Sequence, residues 1–231
     1  MTAELPVIVV SGLPRSGTSM TMGMLRAGGV AILSDGLRVP DHSNPKGYFE
    51  FDPVQRLAKA HDASWLVDAR GKAVKIVSSL LLYLPHTYEY RVIFMHRDLR
   101  EVIASQNKMI AARGADGGTA TDETLVQLYE RHLGQVRRML AGQPCFRTLD
   151  VEYRSVLANP DEQARRIDAF LGGALNVEAM RRTVDAALYR NRAGGNQESG
   201  FRKRDTGHGI QDSGNRERET GSREQDTGIG G

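Results

Sequence analysis

Val7-Ile8-Val9-Val10-Ser11-Gly12-Leu13-Pro14-Arg15-Ser16-Gly17-Thr18-Ser19 is the stretch whose reading decides the fold. Its first four residues are all β-branched, which suits a short strand buried on both faces. Two glycines, a proline and several hydroxyl residues follow at once, and from there to Ala27 the composition is that of a helix, with Met20, Met24 and Ala27 on one side. Strand, glycine-rich loop and helix in that order aim backbone N–H groups and a helix N-terminus at a bound anion. Gly12 and Gly17 let the backbone turn sharply and come close to such a ligand.

The spacing Gly12-x-x-x-x-Gly17 is that of a P-loop, yet the loop departs from that motif at its cation. A nucleoside-triphosphate loop carries lysine directly after its second glycine. Here that position is Thr18, and the cation, Arg15, stands two residues before Gly17. The pattern therefore predicts an anion site of a kind other than one for ATP or GTP. An ordinary strand-to-helix turn does not call for Arg15 together with Ser16, Thr18 and Ser19.

The rest of the chain sets bounds on this site. Its 231 residues suffice for one α/β domain with a sizeable core. The net charge of +3 favours anionic ligands but lacks the dense basic stripes of a nucleic-acid binder. Cys145 is the single cysteine, which excludes an intrachain disulfide and a cysteine-rich metal site and suits a reducing compartment. The first six residues have no basic segment leading into an apolar one. No apolar run approaches the roughly 20 residues that span a bilayer. A cytoplasmic protein with no integral membrane segment is expected.

Composition changes near Ala193, so a folded domain over 1–193 and a tail over 194–231 are expected. The tail's 38 residues hold ten glycines and three apolar residues, Phe201, Ile210 and Ile229. Such a segment cannot bury enough surface to offset its ordering entropy. It repeats every seven residues, at Asp205-Thr206-Gly207, Asp212-Ser213-Gly214, Glu219-Thr220-Gly221 and Asp226-Thr227-Gly228. With no apolar a and d positions, this is a disordered low-complexity tail and not a coiled coil.

Within 1–193, strands at 7–10, 74–77, 91–96 and 146–151 alternate with helices, and Gly29–Leu33 reads as one more short strand. Residues 34–48 are rich in turn formers. The segment from Pro53 to Ala63 reads as helix, and Ser78–Leu84 as a short helix ended by Pro85. Helix 99–112 starts behind Asp98, with Glu101 three residues on as a capping-box partner. Residues 112–122 read as a mobile loop. A long helix over 123–140 places Leu125, Leu128, Tyr129, Leu133, Val136 and Leu140 on one face, and helices at 161–171 and 177–188 complete the domain. The alternation predicts a three-layer α/β/α fold with a mostly parallel central sheet and right-handed crossovers.

Arg97 is the second residue of interest. In open parallel sheets ligands bind beyond the carboxyl ends of the strands, and both Ser11 and Arg97 fall at such ends. Ser105 follows Arg97 by about two helical turns. Alone, Arg97 is a helix-flanking charge and Ser105 an unremarkable helix residue. Together with the loop at 12–19, a guanidinium fork and a hydroxyl suit a second phosphate.

With both motifs in hand, the chain resembles a sulfotransferase that uses 3′-phosphoadenosine-5′-phosphosulfate (PAPS). Gly12-Leu13-Pro14-Arg15-Ser16-Gly17-Thr18-Ser19 is similar to that family's 5′-phosphosulfate loop, Pro-Lys/Arg-Ser-Gly-Thr-Ser/Thr. The run from Arg91 through Arg97-Asp98-Leu99-Arg100-Glu101 to Ser105 resembles its 3′-phosphate segment, with the Arg and Ser eight apart. Asn44-Pro45-Lys46-Gly47-Tyr48-Phe49-Glu50 and Leu188-Tyr189-Arg190-Asn191-Arg192 are similar to stretches in bacterial members, and the resemblance spans residues 6–193. Two departures stand out. Leu99 replaces the proline usual after Arg-Asp, and the late Arg-Lys-Gly loop of the family's cytosolic animal branch has no counterpart in the folded part.

The resemblance implies sulfuryl transfer from PAPS to a hydroxyl or amine acceptor by in-line displacement, with no metal required. Pro14, Arg15, Ser16, Gly17, Thr18 and Ser19 are then the 5′-phosphosulfate residues, with Arg15 stabilising charge on the bridging oxygen. Arg97 and Ser105 hold the 3′-phosphate. Glu50 is the first candidate for the general base, with Asp41, His42 and His61 as substitutes, and Lys75 points at the leaving group or snorkels to the surface. Trp65 stacks on a ligand or anchors the core, and Cys145 reads as a small core residue. The alternatives are a P-loop kinase or NTPase and a nucleotide-binding protein without turnover. The acceptor, a small molecule, carbohydrate or lipid, is not encoded in any motif.

Overall fold

The structure, a computed structural model, describes residues 4–36, 49–112, 114 and 120–184. All belong to one unit, Met1–Gly195. The stretch Asn44–Tyr48, the loop at 115–119, Asp41, His42, Leu188–Arg192 and the heptad-repeat tail lie outside the described residues.

Four parallel strands form the sheet: β1 (Val7–Gly12), β2 (Ala73–Val77), β3 (Tyr90–His96) and β4 (Phe146–Glu152), in the spatial order β2-β1-β3-β4. The helices are α1 (Thr18–Ala27), α2 (Arg56–Ala60), α3 (Leu66–Ala69), α4 (Leu99–Ala112), α5 (Asp122–Gly142), α6 (Tyr153–Ala158), α7 (Pro160–Leu171) and α8 (Val177–Arg182). Short 3₁₀ turns occupy Asp52–Gln55 and Ser78–Tyr83. None of the described helices is long and apolar enough to cross a membrane.

Strand alternation divides the core in two, as a sheet covered on both faces requires. Val7, Val9, Val74, Ile76, Val92 and Phe94 pack with Leu57, Leu66 and Leu81, and with Val136 and Leu140 of α5. Val10, Ile93, Met95 and Val151 face the other way, toward Met22 and Leu25 of α1, Val156 of α6, Ile167 of α7 and Met180 of α8. The expected three-layer α/β/α arrangement is therefore observed. Trp65 and Cys145 both lie in the first core, Trp65 edge-on to Phe51 with centroids 5.6 Å apart.

Several expectations need correction. Gly29–Leu33 is not a strand of the sheet: it touches β2 only at the isolated bridge Ile32↔Ala73, because the chain leaves the edge after one pairing. Helix α6 follows β4 without a loop and was not signalled by any turn residue between them. Leu128 lies on the outer side of α5 and is largely exposed, so the buried stripe narrows to Val136 and Leu140 near the helix's end.

The register explains why the site sits where it does. Gly12 is level with Val77 and with Met95, and Met95 with Val151. Four strands ending together bring the loop after β1, Ser78, Arg97 and the start of α6 to one edge. Phe94, 1% exposed, is central to the first core. Phe94→Ala is expected to cost about 3–5 kcal/mol, read as a lower urea midpoint at unchanged slope.

Candidate functional site

The loop between β1 and α1 is shaped by backbone conformations that few residues adopt. Gly12 has φ 146° and Gly17 φ 104°. A Cβ at Gly17 would lie 2.5 Å from Tyr153 Cδ2, so glycine is required there on two counts. Arg15 also has a positive φ, 76°, a left-handed conformation that costs a non-glycine residue roughly 1–2 kcal/mol. The turn closes with Ser16 N–H donating to the Leu13 carbonyl.

That strained turn aims both ends of Arg15. Its Nε donates to Ser105 Oγ at 3.0 Å, and its carbonyl accepts from an Arg97 guanidinium nitrogen at 3.0 Å. The Pro14 carbonyl accepts from Gln106 Nε2 at 3.1 Å, and Gln106 Oε1 in turn accepts from Tyr129 OH at 2.6 Å. Residues 90 apart in the chain, expected at two separate anion sites, are thus in direct contact.

The start of α1 is built for an acceptor from outside the helix. The first amides of any helix lack intrahelical partners. Here the N-cap is Gly17, with no capping side chain and no acidic residue in the first turn. By contrast Asp98 accepts from Glu101 N–H at 3.1 Å at α4, and Thr121 from Thr124 N–H at α5. The hydroxyls of Ser11 and Ser16 are buried and find no partner among the described residues. Orphaned donors clustered at a helix N-terminus fit an anion.

Arg97 is anchored from three sides. Besides the Arg15 carbonyl, its Nε donates to Glu101 Oε2 at 3.0 Å, and its guanidinium lies 4.5 Å above the Tyr153 ring centroid. Burial pushes the Tyr153 phenol up, with the Arg97 charge pulling the other way. Glu101 was expected to close a capping box. Its carboxylate instead turns inward, 2% exposed as a residue, and its second oxygen accepts from Arg154 at 2.5 Å. The box is half formed, because two guanidinium charges outbid one backbone N–H for a desolvated carboxylate.

On the other side of β1, Lys75 and Glu50 form an ion pair at 3.7 Å, with Lys75 10% and Glu50 44% exposed. Two residues expected separately are therefore adjacent, and they stand on the β2 side while Arg97 and Ser105 stand on the β3 side. His61 is exposed at the end of α2, with its ring centroid 6.3 Å from that of Tyr83.

Sequence reasoning missed further polar groups at this edge. His96 Nε2 meets Asp150 Oδ1 at 2.5 Å while Arg137 reaches Nδ1 at 3.3 Å. His132 bonds Ser78 Oγ at 2.8 Å, and burial lowers its pKa. Nothing in the local patterns pairs these residues, since each contact joins distant elements.

The open parallel sheet, its glycine loop and the arginine beyond the neighbouring strand define an α/β protein with guanidiniums and an uncapped helix start at one edge. Residues 55–176, just over half of the chain, match the model of the Sulfotransferase family, and the chain belongs to that family. The matched span includes Lys75, Arg97, Ser105 and Arg154 and leaves out the glycine loop and Glu50. No curated protein matches the chain. Among solved structures it is similar to a retinol dehydratase in a complex with retinol and PAP, at 20% identity and a TM-score of 0.46, over 77% of this chain and 63% of that one. The chain thus spans less than two thirds of that protein's length. A sulfotransferase from Alicyclobacillus acidocaldarius aligns at 15% identity and a TM-score of 0.43, over 72% and 81% of the two chains. A sugar kinase from a Janibacter species aligns at 12% and 0.39, over 78% and 99%.

Gly17→Ala is expected to destabilise the fold by about 1–3 kcal/mol through strain and the clash with Tyr153. Chemical denaturation checks the loss. An unchanged midpoint contradicts the packing described for this loop.

Proposed function

We propose that this chain transfers a sulfuryl group from PAPS to the hydroxyl or amine of a small-molecule, carbohydrate or lipid acceptor. The observation that carries the reading is the Arg15–Ser105 hydrogen bond, with Arg97 held beside it. Two anion-binding motifs in contact suit a ligand with two anionic ends, here a 5′-phosphosulfate and a 3′-phosphate. Family membership supports the same reading and does not favour the kinase or NTPase alternative.

The uncapped first turn of α1, with Thr18, Ser19 and the buried hydroxyl of Ser16, fits the 5′ end. Gly17 and Pro14 shape the loop. Arg97 and Ser105 take the 3′-phosphate and so select the nucleotide. PAPS, when bound, supplies an electrophilic sulfur: the acceptor bonds to it while the sulfur–oxygen bond to the 5′-phosphate breaks, releasing adenosine 3′,5′-bisphosphate. Arg15 offers its guanidinium to negative charge gathering on the departing oxygen. Glu50 accepts the acceptor's proton, and Lys75 orients that carboxylate through their ion pair. Each of these groups acts by position and charge, the means by which such displacements are accelerated.

Adenosine 3′,5′-bisphosphate at a hundredfold excess over its dissociation constant is expected to raise the melting temperature by about 5–10 °C. ATP with Mg²⁺ is expected to leave it unchanged, and the reverse pattern in a thermal-shift assay overturns the reading.

Glu50→Gln is expected to lower transfer of labelled sulfate from PAPS about a hundredfold or more while the bisphosphate-induced shift persists. Turnover at the wild-type level in that variant moves the base to His61 or His42.

A further inference from the structure

The carboxylate of Glu101 poses a problem for any anion held by Arg97. Its side chain is 1% exposed, and Arg97, 7% exposed, is bonded to it at 3.0 Å. An arginine closed against a buried glutamate is a neutral pair, and a neutral pair attracts a phosphate weakly. The fold supplies a second guanidinium to the same carboxylate. Arg154 stands in the first turn of α6, just beyond the carboxyl end of β4, and donates to the other oxygen at 2.5 Å. Its side chain is 55% exposed, so its head group meets solvent at the edge where Arg97 and the β1 loop converge. Tyr153, the residue before it, lies under the Arg97 guanidinium and against Gly17, which fixes the start of α6 relative to the loop.

We infer that Arg154 is a second cation of the 3′-phosphate subsite, restoring the positive charge that Glu101 removes from Arg97. This rests on the PAPS reading above. Arg97 and Arg154 against the carboxylate they share leave this trio one net positive charge, where Arg97 and Glu101 alone would leave none. A phosphomonoester carries close to two negative charges at neutral pH, so the added cation strengthens the pull on a terminal phosphate. A ribose hydroxyl at the same place gains nothing from it. Glu101 acts through the arginines: it holds two like-charged guanidiniums side by side, which would otherwise repel, and so is a positioning residue.

The test titrates the full chain calorimetrically with adenosine 3′,5′-bisphosphate and with adenosine 5′-monophosphate, which lacks the 3′-phosphate. Loss of one charge-assisted contact is expected to weaken the bisphosphate about tenfold in Arg154→Gln, with the monophosphate changed less than twofold. Arg154→Lys keeps the charge and is expected to retain most of the preference. In the double variant Glu101→Gln, Arg154→Gln the opposing charge is gone as well, so the preference is expected to return toward wild type, a recovery that a purely structural role for Arg154 does not produce. Equal losses for both nucleotides, or an unchanged preference in Arg154→Gln, overturn the role of Arg154 while leaving the PAPS reading in place. Absence of any preference in the wild-type chain overturns the reading itself, and the inference with it.

Discussion

Glu101 is the residue whose needs organise the rest of the site. An ionised carboxylate shut away from water is costly unless it is paired and hydrogen-bonded. Its partners come from two directions, Arg97 one turn before it on the chain and Arg154 from α6. Through Arg97 the same carboxylate reaches the Arg15 carbonyl in the β1 loop, and through Tyr153 it reaches Gly17. One buried charge therefore ties together the ends of β1, β3 and β4. Removing either arginine leaves that charge short of a partner, so the loop's shape and the charge of the edge are linked.

The strand order divides the labour of this edge. β1 is flanked by β3 on one side and β2 on the other, and the loop after it stands between two different sets of polar groups. Toward β3 stand three guanidiniums and a hydroxyl, Arg15, Arg97, Arg154 and Ser105, together with the Glu101 carboxylate and the His96–Asp150 pair. Toward β2 the groups include a carboxylate and an imidazole, in the pairs Glu50–Lys75 and His132–Ser78. Cations suit a bound nucleotide's phosphates, and groups able to take a proton suit an attacking acceptor. The proposed in-line displacement would need its nucleophile and leaving group on opposite sides of the reacting atom, a requirement that groups on the two flanks of β1 suit.

Most of the fold was legible because it is governed by local rules. Runs such as Val7–Val10 and Val92–Met95 read as buried strands on composition alone, and Asp98 marked the start of α4 correctly. The Gly29–Leu33 run failed because apolar β-branched composition does not say whether an edge has room for another strand. Leu128 failed because an apolar period does not say how much of a helix is covered, and on α5 the buried positions are Val136 and Leu140. Of the site, the residues carried by motif spacing, Arg15, Arg97 and Ser105, do come together. Glu101 was hidden by an adequate local explanation, the capping box, and Tyr153 and Arg154 fell between the expected strand 146–151 and the expected helix 161–171, in a stretch given no element. Their importance lies in contacts across about fifty residues of chain, and no local pattern records those.

The cation that a triphosphate loop places after its second glycine is missing here, and the geometry gives a physical reason why Arg15 is not a displaced copy of it. A residue at the first helical position sits at the mouth of α1. Arg15 sits earlier, in a left-handed turn, and that conformation sends its side chain across to α4 and its carbonyl toward Arg97. The strain is offset by two hydrogen bonds that a relaxed backbone at this position would not direct the same way. The loop thus serves as a bridge between two strands' ends as much as a cradle at one of them. A ligand with a single phosphate cluster needs only the cradle; the bridge is of use to a ligand whose two anionic ends must be held apart and recognised together.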